Sequence, residues 1–159
     1  MPKQRLEGIL SKSLKARNDC WYLKLQSNKL SHQAMPADFI LLLNNYKFRY
    51  LIECKETVKN RFVFSRLTQL DSLNMFDRAS AYNSSWVMLL FWKGRLKKSK
   101  TYMINITYFN EIMKKNKYKS LSIEECEHWM NNNPIKMLEI EVGKNNLFNL
   151  DKILKMKSD

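Results

Sequence analysis

The sequence predicts a mixed α/β domain in which a central mixed β-sheet is flanked by helices. Apolar residues recur at helical spacing in some segments and form short strand-like runs in others, and the two patterns alternate along the chain. Hydrophobic residues make up 45% of the chain and aromatic residues 12%, which is enough apolar bulk for a packed core. A length of 159 residues suits one core of ordinary size, so we expect residues 1–159 to form a single domain.

The first third of the chain predicts one helix followed by three strands. Residues 4–17 place leucine and isoleucine at helical spacing between basic residues, which is typical of an amphipathic helix. Residues 21–23 predict a short strand, and the apolar runs 39–43 and 48–54 predict two more. Residues 44–45 are both asparagine and predict a turn, so the last two strands are expected to form a hairpin.

The middle of the chain predicts a helix and two further strands. Ser65 is a suitable N-cap residue, and the apolar spacing after it predicts a helix over residues 66–82. Residues 86–92 are apolar throughout and rich in aromatic side chains, which indicates a central strand. Residues 100–108 predict another strand, which we expect to pair with the previous one.

The last third predicts a helix, a strand and a short terminal helix. Ser122 and Glu125 have the spacing of a capping box and predict a helix that continues to about Met130. Apolar residues alternate with glutamate over residues 138–142, which is typical of a half-exposed strand. Residues 147–156 have the spacing of a short helix.

Charge and composition narrow the function classes. Twenty-eight Lys and Arg residues against 15 Asp and Glu give a net charge of +13, which favours an anionic partner such as nucleic acid. The longest apolar run has seven residues against the roughly 20 that a membrane span needs, so we expect no membrane partner. Three widely spaced cysteines predict thiols in a reducing compartment. We therefore expect a cytoplasmic protein.

Acidic and basic residues meet on the predicted hairpin. On a strand, alternation places Glu53 and Lys55 on one face and Cys54 on the other, toward the core. A two-residue connection would set Asp38 diagonal to Glu53, whereas a four-residue connection would set the two carboxylates directly opposite each other. An odd connection without a bulge would separate them. The pairing of Asp38 with Glu53 is therefore a structural prediction.

Two close carboxylates predict a metal site. They repel each other unless a divalent cation neutralises them, and oxygen ligands favour Mg²⁺, with Mn²⁺ as a substitute. Asp38, Glu53 and the backbone carbonyl of Cys54 are the candidate ligands, and Glu7 on the first helix is the candidate third carboxylate. Lys55 would orient the nucleophile or add positive charge beside it. The reaction that this set predicts is phosphodiester hydrolysis. The alternative is an exposed strand face that carries solvated charges.

The motif residues resemble a known nuclease superfamily. Pro36-Ala37-Asp38 and Glu53-Cys54-Lys55 are similar to the two half-motifs of the PD-(D/E)xK nucleases. Residues 48–57, followed by Gln69 and the aromatic strand at 86–92, resemble the RecU family of Holliday-junction resolvases. The resemblance covers roughly residues 36–125.

This resemblance implies a fold, an activity and a set of roles. The implied fold is a restriction-endonuclease-like core in a homodimer with two active sites. The implied activity is Mg²⁺-dependent, paired nicking of four-way DNA junctions in recombination and repair. Asp38 and Glu53 would bind the metal, Lys55 would be catalytic, and Glu7 and Gln69 would support them. Residues 26–35 are shorter than the projecting segment of RecU proteins, which fits a phage-type version of the family. The resemblance implies a location at the nucleoid or in a phage-infected bacterial cell.

Four basic residues are predicted to bind DNA because they lie on segments expected to flank the carboxylates. They are Arg5, Lys12, Arg61 and Arg66. Two other functions stay open at this point. One is a general PD-(D/E)xK deoxyribonuclease that acts on duplexes or DNA ends, and the other is a non-catalytic basic protein that binds nucleic acid and whose acidic residues are structural.

Overall fold

In the computed structural model, residues 5–25, 35–43 and 47–155 are described, and helices alternate with strands along them. The α-helices are α1 Arg5–Lys15, α2 Leu70–Ala79, α3 Ile106–Lys115, α4 Ile123–Asn132 and α5 Asp151–Lys155. The strands are β1 Trp21–Lys24, β2 Phe39–Leu43, β3 Phe48–Thr57, β4 Arg61–Val63, β5 Asn83–Phe91, β6 Lys100–Asn105, β7 Ser120–Ser122 and β8 Met137–Glu139. Short 3-10 helices lie at Phe64–Arg66, Leu96–Lys98 and Lys144–Asn146.

The central sheet contains six of these strands in the order β1-β2-β3-β5-β6-β8. Only β3 and β5 run parallel, while the other neighbouring pairs in the described sheet are antiparallel. A parallel pair needs a crossover connection, and β4 together with α2 supplies it. β4 and β7 form a separate two-stranded sheet. The predicted class, a mixed α/β fold with a mixed central sheet, is confirmed.

Helices cover both faces of the sheet. On one face, Leu6, Leu10 and Leu14 of α1 share an apolar core with side chains of β2 and β3 and with Ile153 of α5. On the other face, side chains of α2, α3 and α4 form a second core with the alternate residues of the same strands. β5 lies between the two cores and is buried from Ser85 onward, which explains its uninterrupted apolar sequence.

The crossover places the start of α2 near the end of β3. The backbone N–H of Arg49, at the start of β3, donates to the carbonyl of Tyr82 just after α2, at 2.9 Å. The C-terminal end of α2 therefore lies beside the beginning of β3. Since α2 runs back along the sheet, its first residues lie toward the end of β3 that carries Glu53 and Lys55.

Several predicted elements differ from the structure. The helix expected over 66–82 begins only at Leu70, and Ser65 lies in a 3-10 helix with no capping role. The strand expected over 100–108 ends at Asn105, whose side chain accepts from the N–H of Thr107 and caps α3. The residues after Asn105 are β-branched and aromatic, so their sequence mimics a strand.

The C-terminal third is closer to expectation. Both hydrogen bonds of the predicted Ser122–Glu125 capping box are present at the start of α4. The strand expected over 138–142 is shorter, with a further isolated bridge between Val142 and Phe148. In the described part of the chain, no helix combines the length and the apolar character that crossing a bilayer would require.

Candidate active site

The register of β2 and β3 brings the predicted carboxylates together. Phe39 pairs with Ile52 and Leu43 pairs with Phe48, so four residues connect the two strands. Asp38 lies one residue before β2, so the four-residue alternative places it beside Glu53, and a hydrogen bond joins the two side chains. The turn predicted at residues 44–45 lies outside the described residues. The even connection keeps both carboxylates on one side of the sheet.

Asp38 is fixed to β3 by two hydrogen bonds. Its backbone N–H donates to the carbonyl of Ile52 at 3.0 Å. Its Oδ2 accepts from the backbone N–H of Cys54 at 2.7 Å. The Asp38 carboxylate is therefore held against the backbone of the motif strand, next to the carbonyl that was predicted as a metal ligand.

Glu53 is buried without a full set of partners. Its side chain is 2% exposed, and its Oε2 atom has no hydrogen-bond partner in the described structure. Burial raises the pKa of Glu53 to about 9, and the hydrogen bond with Asp38 and the negative charges of Asp38 and Glu7 act in the same direction. Glu53 therefore does not belong to a solvated strand face.

Glu7 of α1 is the third member of the cluster. It is 8% exposed, and burial raises its pKa to about 7, with further contributions from the charge and hydrogen bond of Asp38. Burial and the charges of all three carboxylates raise the pKa of the Cys54 thiol well above its ordinary value. The Cys54 side chain packs against the core on the α1 face, so its candidate ligand is the backbone carbonyl.

Two lysines border the carboxylates. Lys55 follows Glu53 on the same face of β3, and its positive charge opposes the rise of the Glu53 pKa. Lys24 opposes the rise of the Glu7 pKa in the same way. Lys24 was missed in the sequence. It pairs with Phe39 and so adjoins Asp38, but no turn signature in the preceding or following loop fixes that register.

Gln69 stands at the start of α2. It is the N-cap residue, and its backbone carbonyl accepts from Leu73, yet its side chain makes no capping bond. Its Oε1 atom is buried without a partner. Among the described residues, Glu53 Oε2, Gln69 Oε1 and Trp86 Nε1 are the buried side-chain polar atoms in this condition. Two of the three thus belong to predicted site residues.

Three of the four predicted DNA-binding residues line one cleft. Arg5, Arg61 and Arg66 surround a cleft of about 470 Å³ at the end of β3. Lys12 is exposed on α1 and is not among the residues that line this cleft. The structure therefore places three of these cations beside the strand that carries the carboxylates.

The donors of the predicted metal site are oxygen atoms of a kind that Mg²⁺ prefers. Asp38, Glu53 and the Cys54 carbonyl adjoin one another, and the unpartnered Oε2 of Glu53 is an available donor. Across the described ranges, no group of three or more His, Cys, Asp or Glu side chains is arranged to hold a metal ion. A cation here would therefore use the two carboxylates together with backbone or solvent oxygens.

Comparison with known proteins finds similarity of structure. No protein-family model matches the sequence, and no curated protein does. Among solved structures, the chain is similar to Hjc from Archaeoglobus fulgidus, described as a Holliday junction resolvase from an archaeal hyperthermophile. The TM-score is 0.49 with 15% sequence identity, and the match covers 76% of this chain and 87% of that chain. Residue roles in this chain therefore depend on the geometry of its own site.

Proposed function

We propose that the chain is a Mg²⁺-dependent endonuclease that hydrolyses DNA phosphodiesters, with the four-way junction as its substrate. One observation carries the hydrolytic part. Glu53 is buried with an unpartnered oxygen beside two other carboxylates, in a protein whose net charge is +13. Without a cation such a cluster keeps protons at neutral pH, whereas a bound divalent cation would let the carboxylates ionise, and a strongly basic chain favours a polyanionic substrate.

Each site residue has a proposed role that depends on its position in the site. Asp38, Glu53 and the Cys54 carbonyl would hold Mg²⁺, with Mn²⁺ as a substitute, and Glu7 of α1 would support them as a neighbouring carboxylate. When bound, the cation would neutralise these carboxylates and stabilise negative charge on the phosphate under attack. Lys55 adds a fixed positive charge on the same face as Glu53.

Gln69 is suited to orient water. Its buried Oε1 is an acceptor without a donor, and α2 brings it toward the end of β3 that carries Glu53 and Lys55. A water molecule that donates to this oxygen would be held in one orientation for attack on phosphorus. Gln69 is therefore proposed as the residue that positions the nucleophile.

The junction as substrate comes from the resemblance of residues 36–125 to RecU resolvases. A homodimer with two-fold symmetry would present two equivalent sites to a four-way junction and could make paired nicks. The second candidate is a general nuclease on duplexes or ends. It is favoured by the short segment at residues 26–35, where the family has a longer projection.

The test compares cleavage of two substrates by two proteins. An end-labelled four-way junction and a linear duplex of matching arm sequence are incubated with Mg²⁺ or with EDTA. The wild type is compared with Lys55→Ala, and Lys152→Ala on α5 serves as an exposed-lysine control. Because Lys55 is proposed to act on the reacting phosphate, its loss should lower the cleavage rate by a factor of about 100 or more without weakening binding.

The outcomes separate the three functions. Symmetric nicks in the junction alone, lost with EDTA and with Lys55→Ala but kept with Lys152→Ala, support the resolvase. Equal cutting of both substrates supports the general nuclease. DNA binding without any metal-dependent cutting contradicts both and leaves a non-catalytic binding protein.

A further inference from the structure

The cleft at the end of β3 contains four cationic side chains. It is bounded by the end of β3, the connection to β4, β4 itself and the first residue of α1. The cations are Arg5, Lys59, Arg61 and Arg66. Their neighbours include one carboxylate, Glu56. Such a concentration of positive charge around a concave surface attracts an anion.

Two of the four cations are already engaged inside the protein. Arg5 donates to Glu56 at 3.3 Å through Nη1, and its guanidinium lies 4.7 Å from the centre of the Trp92 ring. The backbone N–H of Arg5 also donates to Glu56, at 3.0 Å. The Arg5 side chain therefore fastens the start of α1 to the end of β3.

Arg61 is engaged still more completely. Its guanidinium donates to the Ser120 hydroxyl at 2.7 Å, to the Ser120 carbonyl at 3.0 Å and to the carboxylate of Glu125. It also lies 4.7 Å from the centre of the Tyr118 ring. These contacts join β4 to β7 and to the start of α4, which is a structural task.

The other two cations, Lys59 and Arg66, are available to bind a ligand. Lys59 and Arg66 are exposed, and neither side chain has a hydrogen-bond or ion-pair partner in the parts of the chain that are described. The guanidinium of Arg66 lies 5.4 Å from the centre of the Phe62 ring, which leaves its N–H groups available. A phosphate in the cleft would meet these two side chains without breaking an existing bond.

Exposed apolar groups lie between the charges. Val58 is 64% exposed and Val63 is 46% exposed, and both line the cleft. Alternating cationic and apolar groups match a sugar–phosphate backbone, in which charged phosphates alternate with less polar deoxyribose rings. A free phosphate has no apolar group to place against the valines, and the competition experiment below distinguishes DNA from an acidic peptide.

The cleft lies within a few base pairs of the carboxylates. Lys59 is four residues after Lys55, and a strand rises about 3.3 Å per residue, so their backbones are at most about 13 Å apart. A DNA strand advances about 3.4 Å along the helix axis per nucleotide, which makes this distance about four base pairs. A duplex whose scissile phosphate lies at Lys55 is therefore long enough to reach the cleft with the phosphates of the adjoining arm.

We propose that Lys59 and Arg66 bind backbone phosphates of the DNA arm next to the cleavage site, while Arg5 and Arg61 hold the walls of the cleft. This inference rests on the proposed function for its choice of DNA. Of the residues that the sequence predicted to bind DNA, it keeps Arg66, gives Arg5 and Arg61 a structural role, and adds Lys59. The contacts are to phosphate, so they are independent of base sequence.

The experiment measures binding without cleavage. Fluorescence anisotropy with a labelled duplex and a labelled junction, in EDTA, is recorded at several salt concentrations for the wild type and for the double variant Lys59→Ala/Arg66→Ala. Each lost phosphate contact lowers the slope of log affinity against log salt by about 0.9, so the double variant should lose about 1.8. Its affinity should fall at least tenfold for both DNAs.

A matched control removes one arginine and one lysine from another part of the surface. Arg78→Ala/Lys152→Ala deletes one exposed arginine and one exposed lysine, at the end of α2 and on α5, away from the cleft. The control should change the slope by less than 0.5. Lys59→Glu is a second variant, and its reversed charge should weaken binding more than loss of the charge at the same residue. A thermal melt of each protein confirms folding.

Three results would overturn the inference. One is an unchanged slope for Lys59→Ala/Arg66→Ala. Another is an equal loss in the control pair, which would make the effect one of total charge. The third is displacement of DNA by oligoglutamate as effective as displacement by unlabelled duplex, which would show that the cleft accepts an acidic peptide. Failure of Mg²⁺-dependent cleavage with the expected slopes would contradict the nuclease alone.

Discussion

Replacing Glu53 with glutamine should stabilise the metal-free protein at neutral and alkaline pH. The unfolded chain ionises this carboxyl near pH 4.5, whereas burial and the neighbouring Asp38 raise its pKa to about 9 in the folded protein. Between these values the folded state binds more protons than the unfolded state. Stability is therefore fully present below about pH 4.5 and is lost as the pH rises toward about 9.

The size of this loss follows from the pKa. One pKa unit corresponds to about 1.4 kcal/mol, and at pH 8.5 the wild type lies about four pH units above the unfolded value, so the penalty from Glu53 is on the order of 5 kcal/mol. Glu7 adds a penalty of the same sign up to about pH 7. Glu53→Gln keeps the size of the side chain and removes the titration at residue 53.

The assay is urea unfolding in EDTA at pH 5 and at pH 8.5, for the wild type and for Glu53→Gln. The two proteins should have similar free energies of unfolding at pH 5, and the variant should be more stable by about 3 kcal/mol or more at pH 8.5. Added Mg²⁺ or Mn²⁺ should then stabilise the wild type and leave the variant unchanged. A variant that is less stable than the wild type at pH 8.5 would refute the reasoning, because Glu53 would then be ionised and held by Lys55.

Two further substitutions test the support of the site. Glu56→Ala removes the acceptor of the Arg5 backbone N–H and of its guanidinium, so it should lower the free energy of unfolding by about 1 to 2 kcal/mol. Glu56→Gln should recover part of this loss. Equal urea unfolding curves for the wild type and both variants would contradict the anchoring role. In steady-state cleavage, Gln69→Ala should lower kcat by about tenfold or more and leave KM nearly unchanged, because the residue is proposed to orient the nucleophile. A change in KM alone would instead assign Gln69 to DNA binding.

The hairpin of the site was predictable because period-two alternation carries most of the information. Any even connection between β2 and β3 keeps Asp38 and Glu53 on one side of the sheet, so strand pattern predicts the meeting of the carboxylates once the connection is even, as it is here. The choice between a two-residue and a four-residue connection did not follow. Asn44-Asn45 suits either, and the structure has the four-residue register, in which Leu43 pairs with Phe48.

Other parts depend on contacts that local pattern does not contain. The segment after Asn105 has strand-like side chains, yet Phe109 and Ile112 bury one helical face in the core and Asn105 caps the helix, so packing overrides propensity. Lys24 reaches the site through the pairing of β1 with β2. A long connection separates those strands, and sequence reasoning has no means of fixing their register.

The arrangement of the carboxylates weighs against a purely structural role for them. A basic binding protein that keeps acidic residues for its fold would pair them with some of its 28 cations or expose them. Here Glu53 is 2% exposed, its Oε2 lacks a partner in the described structure, and its nearest carboxylates raise its pKa rather than lower it. Lys55 offsets this cost only in part, and under the proposed function a divalent cation bound by oxygen ligands would supply the missing interaction.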